Sequence, residues 1–101
     1  MSLDNFEQLI VQWGEEKGIL PDPDPVAQYE KTVEEVEELK DAIIFSDEHE
    51  AKDAIGDIFV TLVMQSRAWN TSMSECVEQA YNQIKNRTGR MVNGKFVKES
   101  K

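Results

Sequence analysis

The chain has 101 residues, of which 40% are hydrophobic and 31% charged, a composition typical of one globular domain with a small core. Its formal net charge of −9 disfavours binding to polymeric DNA or RNA, because phosphate backbones are also negative. No apolar run approaches the roughly 18 residues of a membrane span. The acidic start MSLDNFEQ lacks the basic region of a signal peptide, and a single cysteine fits a reducing compartment, so we expect a cytoplasmic protein.

Apolar residues at helical spacing predict four helices. The first ends at Gly18, and the loop PDPDP follows, because a residue before proline avoids the helical conformation. Asp24 or Pro25 should start the second helix, and a capping residue at Ser46 or Asp47 the third. The expected helices are residues 3–18, about 25–45, about 47–69 and about 74–87.

The C-terminal stretch RMVNGKFVK, residues 90–98, has a different pattern. Asn93 and Gly94 stand between two short apolar runs, and Asn-Gly is the preferred pair for a two-residue type I′ turn. We therefore expect an all-α protein, an antiparallel, oligomeric four-helix bundle with a short C-terminal β-hairpin, in one domain that covers residues 1–101.

The second predicted helix separates apolar from acidic residues. Its apolar stripe, which we expect to face the core, consists of Val26, Tyr29, Val33, Val36, Leu39 and Ile43. Glu34 and Glu38 fall on the opposite side, and Glu35 lies on the flank. Taken alone, this pattern is typical of a solvated face.

The third predicted helix changes this interpretation. IFVTLVM, residues 58–64, is apolar almost all round, so we expect it to be buried on every side. Asp57 stands at the edge of this segment, and neither Lys52 nor Arg67 lies beside it. Buried carboxylates are rare unless they are paired or bind a metal.

Two helices joined by a short loop should pack antiparallel, which can bring acids of both together. Glu35 and Glu38 would then face Asp53 and Asp57. A ligand set of carboxylate oxygens suits Mg²⁺, or Mn²⁺, and the cation would offset the repulsion between the acids. The alternative is an acidic flank neutralised by neighbouring lysines, namely Lys31, Lys40 and Lys52.

The two acidic segments also carry a family resemblance. KTVEEVEEL followed by KDAIGDIFVTLV resembles the MazG-like nucleotide pyrophosphohydrolases of the all-α NTP pyrophosphatase superfamily. QWGEEKGIL and AYNQIKNRTGRMVNGKFVKE extend it over nearly the whole chain, to the short single-domain type of bacteria and phages. The resemblance implies Mg²⁺-dependent hydrolysis of nucleoside or deoxynucleoside triphosphates to monophosphate and pyrophosphate, in housecleaning of the nucleotide pool.

The same resemblance implies roles for particular acids. The implied metal ligands are Glu34, Glu35, Glu38, Asp53 and Asp57. Ala54 stands where the family has a glutamate, and we expect Asp53, one position earlier, to take its place. Glu35 or Glu38 is the expected catalytic base, because the sole histidine, His49, lies at a helix start rather than in a nucleophile site.

Substrate contacts are expected from other residues. The candidates for phosphate binding are Lys31, Asn82, Lys85 and Arg87, with Arg90 following. Lys85, Arg87 and Arg90 also fit a basic helix C-terminus, which the helix dipole favours. Trp13 and Gln28 are the candidates for the nucleobase, with Phe6 and Tyr81 behind them, although a tryptophan at this spacing also fits a core position. Met64 and Met73 are expected in the core.

An all-round apolar third helix predicts a homodimer or homotetramer, since four short helices cannot cover every face within one chain. Three other interpretations stay open. One is a non-catalytic helical module that binds metal or nucleotide, and another is a structural adaptor. The third is a base-specific relative such as a dUTP or dCTP pyrophosphatase or a phosphoribosyl-ATP hydrolase.

Overall fold

A computed structural model of the protein describes residues 1–99, which form four helices followed by a two-stranded hairpin. The helices are α1 (Leu3–Glu16), α2 (Pro25–Ile44), α3 (Glu48–Ala68) and α4 (Met73–Ile84). The antiparallel strands are β1 (Gly89–Val92) and β2 (Lys95–Lys98). The predicted helical class and the hairpin are confirmed, and the last two residues of the predicted domain lie outside the described part.

Capping side chains explain where the helices begin. Each helix starts after a serine or aspartate whose side chain accepts a hydrogen bond from a backbone N–H of the first turn, namely Ser2, Asp24, Asp47 and Ser72. The predicted starts are therefore correct to within about a residue. Two helices end earlier than predicted: α1 stops at Glu16, two residues before Gly18 with its positive φ of 79°, and α4 stops at Ile84.

The hairpin turn has the predicted conformation. Asn93 and Gly94 have φ values of 50° and 79°, and a type I′ turn needs positive φ at both central residues. Val92 faces Lys95, and Met91 faces Phe96 in the next pair. Met91 and Phe96 therefore share one face of the ribbon.

The helices α2 and α3 pack against each other along most of their length. The Gln65 side chain donates to the backbone carbonyl of Pro25 at 3.0 Å, and the Thr32 hydroxyl lies 2.8 Å from that of Thr61. Later residues of α2 contact earlier residues of α3, so the two helices run antiparallel, as expected.

The core is small. Its buried hydrophobic residues are Leu20, Ala42, Ala54, Val63 and Met64. Thr61, Val63 and Met64 are buried, whereas the other residues of 58–64 are half-buried, so the prediction that this segment is buried on every side holds only in part. Met64 is 1% exposed, and Met73 packs partly buried against this core, so both methionines lie where they were expected.

The predicted core stripe of α2 was wrong for most of its members. Tyr29 and Ile43 are 64% and 67% exposed, and the other members except Leu39 are exposed as well. The face that packs on α3 instead carries Thr32, Glu35, Leu39 and Ala42. The other members of the stripe are left uncovered in the described chain.

A buried ion pair joins α1, α3 and α4. Glu7 is 4% exposed, and its Oε2 lies 3.1 Å from the Arg67 guanidinium. The same oxygen accepts the backbone N–H of Met73 at 2.9 Å, at the start of α4. Within residues 1–99, no helix is long and apolar enough to cross a membrane.

Candidate functional site

Three carboxylates from α2 and α3 form the centre of the site. Glu35, Glu38 and Asp57 each offer an oxygen, and these oxygens all lie within 4.8 Å of one another. Glu35 and Glu38 are about one turn apart on α2, and the antiparallel packing places Asp57 of α3 opposite them. We call these residues the acid triad.

The acids of the triad raise each other's affinity for protons. The pKa of Glu35 is raised to about 7, first by a hydrogen bond with Glu38, then by burial and by the charges of Glu38 and Asp57. Burial, followed by the charges of Asp53 and Glu38, raises the pKa of Asp57. Lys31 opposes the shift at Glu35 only in part. The fully ionised triad is therefore unfavourable without a counter-charge.

One atom of the triad indicates what could supply that charge. Glu35 Oε2 is buried and has no hydrogen-bond partner in the described part of the chain. A buried charged oxygen without a partner is costly. Carboxylate oxygens prefer hard divalent cations such as Mg²⁺ and Mn²⁺, so the residues present fit such an ion.

The triad opens into a larger acidic space between the end of α2 and the start of α3. This acid-lined cavity has a volume of about 580 Å³, and seven of its nine lining residues are Glu35, Glu38, Asp41, Asp47, Glu50, Asp53 and Asp57. Asp53 lines it beside Asp57 without joining the triad, while Ala54 is 3% exposed in the core. Sequence reasoning missed the wider acid set, although the cap Asp47 could have pointed to it.

A second cavity adjoins the first. This apolar cavity has a volume of about 420 Å³ and shares Glu35 and Asp57 with the acid-lined cavity. The predicted candidates Trp13, Gln28 and Lys31 line it, together with Ile19, Val60, Thr61 and Met64, which were not predicted as site residues. An apolar wall with a few polar groups is typical of a small-molecule site.

Two predicted site residues of the first half of the chain lie elsewhere. Glu34 is exposed and pairs with Lys31 at 3.6 Å, outside both cavities. Phe6 is 48% exposed and lines neither cavity. Glu34 therefore lies on the solvated side of α2 and is not part of the triad.

The predicted contacts from the end of α4 are also absent from both cavities. Lys85 donates to the Asn82 side chain at 3.2 Å, and Arg87 and Tyr81 are exposed. None of these four residues lines either cavity within the described chain. One chain by itself does not bring them to the triad.

The fold and the site together define a mostly helical protein with a carboxylate cluster that fits a divalent cation, next to an apolar cavity. The comparison with family models makes this specific: the chain belongs to the MazG nucleotide pyrophosphohydrolase domain family, whose model matches residues 25–92. The match runs from the first residue of α2 to the last of β1, so it includes the acid triad and leaves out Trp13. The searches of curated proteins and of solved structures gave no significant match.

Proposed function

We propose that this protein hydrolyses nucleoside or deoxynucleoside triphosphates to the monophosphate and pyrophosphate, with Mg²⁺ or Mn²⁺, in housecleaning of the nucleotide pool. Membership of the family indicates nucleotide pyrophosphohydrolysis. The observation that carries the proposal is that the acid-lined and apolar cavities share Glu35 and Asp57. A nucleotide in the apolar cavity would therefore have its phosphates next to the acid triad.

The acids take distinct parts in this proposal. Glu35, Glu38 and Asp57 would hold the cation, with Asp53 at the edge of the cavity. The bound cation would supply positive charge to the phosphate oxygens and favour a nucleophilic water. Glu35 or Glu38 would accept the proton of the attacking water as the general base.

The apolar cavity would hold the nucleoside. Trp13 offers a flat aromatic face, and the Gln28 amide offers both a donor and an acceptor to a base edge. The Thr61 hydroxyl already donates to the carbonyl of Ile58 at 2.7 Å, so it can only accept from a ligand. Lys31 would contact a phosphate.

The direct test is pyrophosphate release from a panel of ribo- and deoxynucleoside triphosphates with Mg²⁺. Asp57→Asn keeps the shape and removes the charge, and we expect it to lower turnover by at least about 100-fold. Glu37→Gln is the matched control, because Glu37 is exposed on α2 and pairs with Lys40 away from the cavities. Equal turnover in the wild type and Asp57→Asn would refute the site.

The other outcomes of the panel separate the remaining interpretations. A strong preference for one base, such as uracil or cytosine, would make the protein a base-specific pyrophosphatase. No release from any triphosphate, together with a rise in melting temperature on adding Mg²⁺, would indicate a non-catalytic binding module. If there is no pyrophosphate release and no effect of Mg²⁺ on the melting temperature, the acids are a solvated face without a ligand.

We further propose a homodimer or homotetramer in the cytoplasm, without polymeric nucleic acid or membrane as a partner. The support for assembly is the exposed apolar stripe of α2 beside a small core. The net charge of −9 and the acid-lined cavity argue against nucleic acid, and the single cysteine fits a reducing compartment.

A further inference from the structure

A hydrogen bond between two threonines joins α2 to α3 close to the acid triad. The hydroxyl of Thr32 on α2 lies 2.8 Å from that of Thr61 on α3. Thr61 is 7% exposed and Thr32 is half-buried, so water competes little for this contact. We call this hydrogen bond the threonine tie.

The tie continues into the backbone of both helices. The Thr32 hydroxyl lies 3.0 Å from the backbone carbonyl of Gln28, and the Thr61 hydroxyl lies 2.7 Å from that of Ile58. Because Thr61 donates its proton to Ile58, the proton of the tie comes from Thr32. If the tie is broken, each hydroxyl that remains still has a carbonyl of its own helix as a partner.

The tie lies about one helical turn from the triad on both helices. Thr32 precedes Glu35 by three residues, which is about 4.5 Å along the axis of α2. Thr61 follows Asp57 by four residues, which is about 6 Å along the axis of α3. Since the helices are antiparallel, both steps run in the same direction, so a tie that holds Thr32 opposite Thr61 also holds Glu35 opposite Asp57.

The acids of the triad work against this arrangement. The oxygens of Glu35, Glu38 and Asp57 lie within 4.8 Å of one another, and their negative charges push α2 and α3 apart. In the described part of the chain, the other hydrogen bond between these helices joins Gln65 to the Pro25 carbonyl, ten residues before Glu35 and about 15 Å away along the axis. The tie is therefore the hydrogen bond that holds the two helices together nearest to the acids.

The tie also borders the apolar cavity. Thr61 lines this cavity together with Glu35 and Asp57. Gln28, whose carbonyl lies beside the Thr32 hydroxyl, lines the same cavity one turn further from the acids. A change in the tie would therefore move the wall of the apolar cavity and the acids together.

We propose that the threonine tie is a positioning device for the cation site, because it holds α2 and α3 in the register at which Glu35 and Glu38 face Asp57. Thr32 and Thr61 act on the cation through these acids and do not bind it. A ligand that is displaced by about 1 Å binds and reacts much more weakly. The cation itself rests on the proposed function, whereas the register is a property of the folded chain.

Valine and serine variants separate this role from packing. Thr32→Val and Thr61→Val each keep the side-chain shape and remove the hydroxyl, so either one breaks the tie. Thr61→Ser keeps the hydroxyl and removes a buried methyl group, so it should lower the free energy of unfolding in urea while the tie persists. A role in packing alone would make the serine variant the more damaging one in every measurement.

The experiment is calorimetric titration of the full-length protein with Mg²⁺ alone and with Mn²⁺ alone. We expect each valine variant to raise the Kd for the cation by at least about 5-fold, which corresponds to the loss of one hydrogen bond. The double variant should bind no more weakly than either single one, because one change already breaks the tie. Thr61→Ser should bind as the wild type does. Thr88→Val is the matched control, because the Thr88 hydroxyl donates to Glu99 at 2.9 Å beyond both cavities.

Several results would overturn the inference. Wild-type affinity in both valine variants is one, and a Thr61→Ser variant that binds as weakly as Thr61→Val is another. Losses that add up in the double variant would mean that the two hydroxyls act separately. If Thr61→Val does not fold, Thr32→Val at the half-buried position carries the same test.

The same titrations distinguish this inference from the proposed function. If the valine variants bind the cation more weakly but the wild type releases no pyrophosphate from any triphosphate, the proposed function fails and the positioning role stands. If the wild type releases pyrophosphate and the valine variants bind the cation normally, the positioning role fails and the proposed function stands. A wild type that binds neither Mg²⁺ nor Mn²⁺ overturns the positioning role as well.

Discussion

Raising the pH of a metal-free solution should destabilise this fold, because Glu35 must ionise beside other acids. Its pKa is about 7 in the folded chain against an ordinary value of 4.5. A carboxyl with a raised folded pKa binds its proton more tightly in the native state. The stabilisation is complete below the ordinary pKa and is lost as the pH rises through about 7.

The size of the effect follows from the same shift. Each pKa unit corresponds to 1.36 kcal/mol, so a shift from 4.5 to about 7 predicts a loss of about 3 kcal/mol in the free energy of unfolding. The raised pKa of Asp57 acts in the same direction. A bound Mg²⁺ should reverse the loss, because it favours the ionised acids.

The assay is urea unfolding at fixed protein concentration, with a chelator, at several pH values between about 5 and about 8. Glu35→Gln replaces the titrating carboxyl by an amide of similar shape. It should remove most of the pH dependence of the free energy of unfolding. Glu37→Gln, an exposed acid paired with Lys40, should keep it. The same pH dependence in the wild type and Glu35→Gln would refute the reasoning.

Two further predictions concern packing. Glu7→Ala leaves the mostly buried Arg67 without its partner, so it should lower the free energy of unfolding by about 3–5 kcal/mol. Urea unfolding measures this, and a loss below about 1 kcal/mol would contradict the buried pair. Gly14→Ala places a methyl group 2.7 Å from Met64 Cε, so we expect the free energy of unfolding to fall by about 1–3 kcal/mol. Because Met64 lines the apolar cavity, we also expect a raised KM for the nucleotide. Gly56→Ala, with no atom within 4 Å of the added methyl group, is the control and should be neutral or stabilising; equal effects of the two glycine variants would contradict the close contact.

Local chemistry made much of the fold predictable. Capping side chains such as Asp24 and Asp47 mark helix starts because their oxygens satisfy backbone N–H groups that have no other partner. Asn93 and Gly94 specify their turn because they accept positive φ. The proximity of Glu35 and Asp57 followed from two helices joined by a short turn.

The face that each helix buries could not be predicted in the same way. The stripe of α2 with Tyr29 and Ile43 has helical periodicity, but periodicity shows that a face is apolar without showing what covers it. In the folded chain, Thr32 contacts Thr61 of α3 and Ala42 is buried, while most of the apolar stripe stays exposed.

The sequence by itself determined the helices, their starts, the turn of the hairpin and the acids that could form a site. Only the tertiary structure decided that Glu38 joins the triad while Glu34 pairs with Lys31 outside it. It also decided that Trp13 of α1 meets the same cavity as Gln28 of α2. The reason is physical: caps and turns depend on neighbours within a few residues, whereas a site depends on how distant helices are rotated against one another.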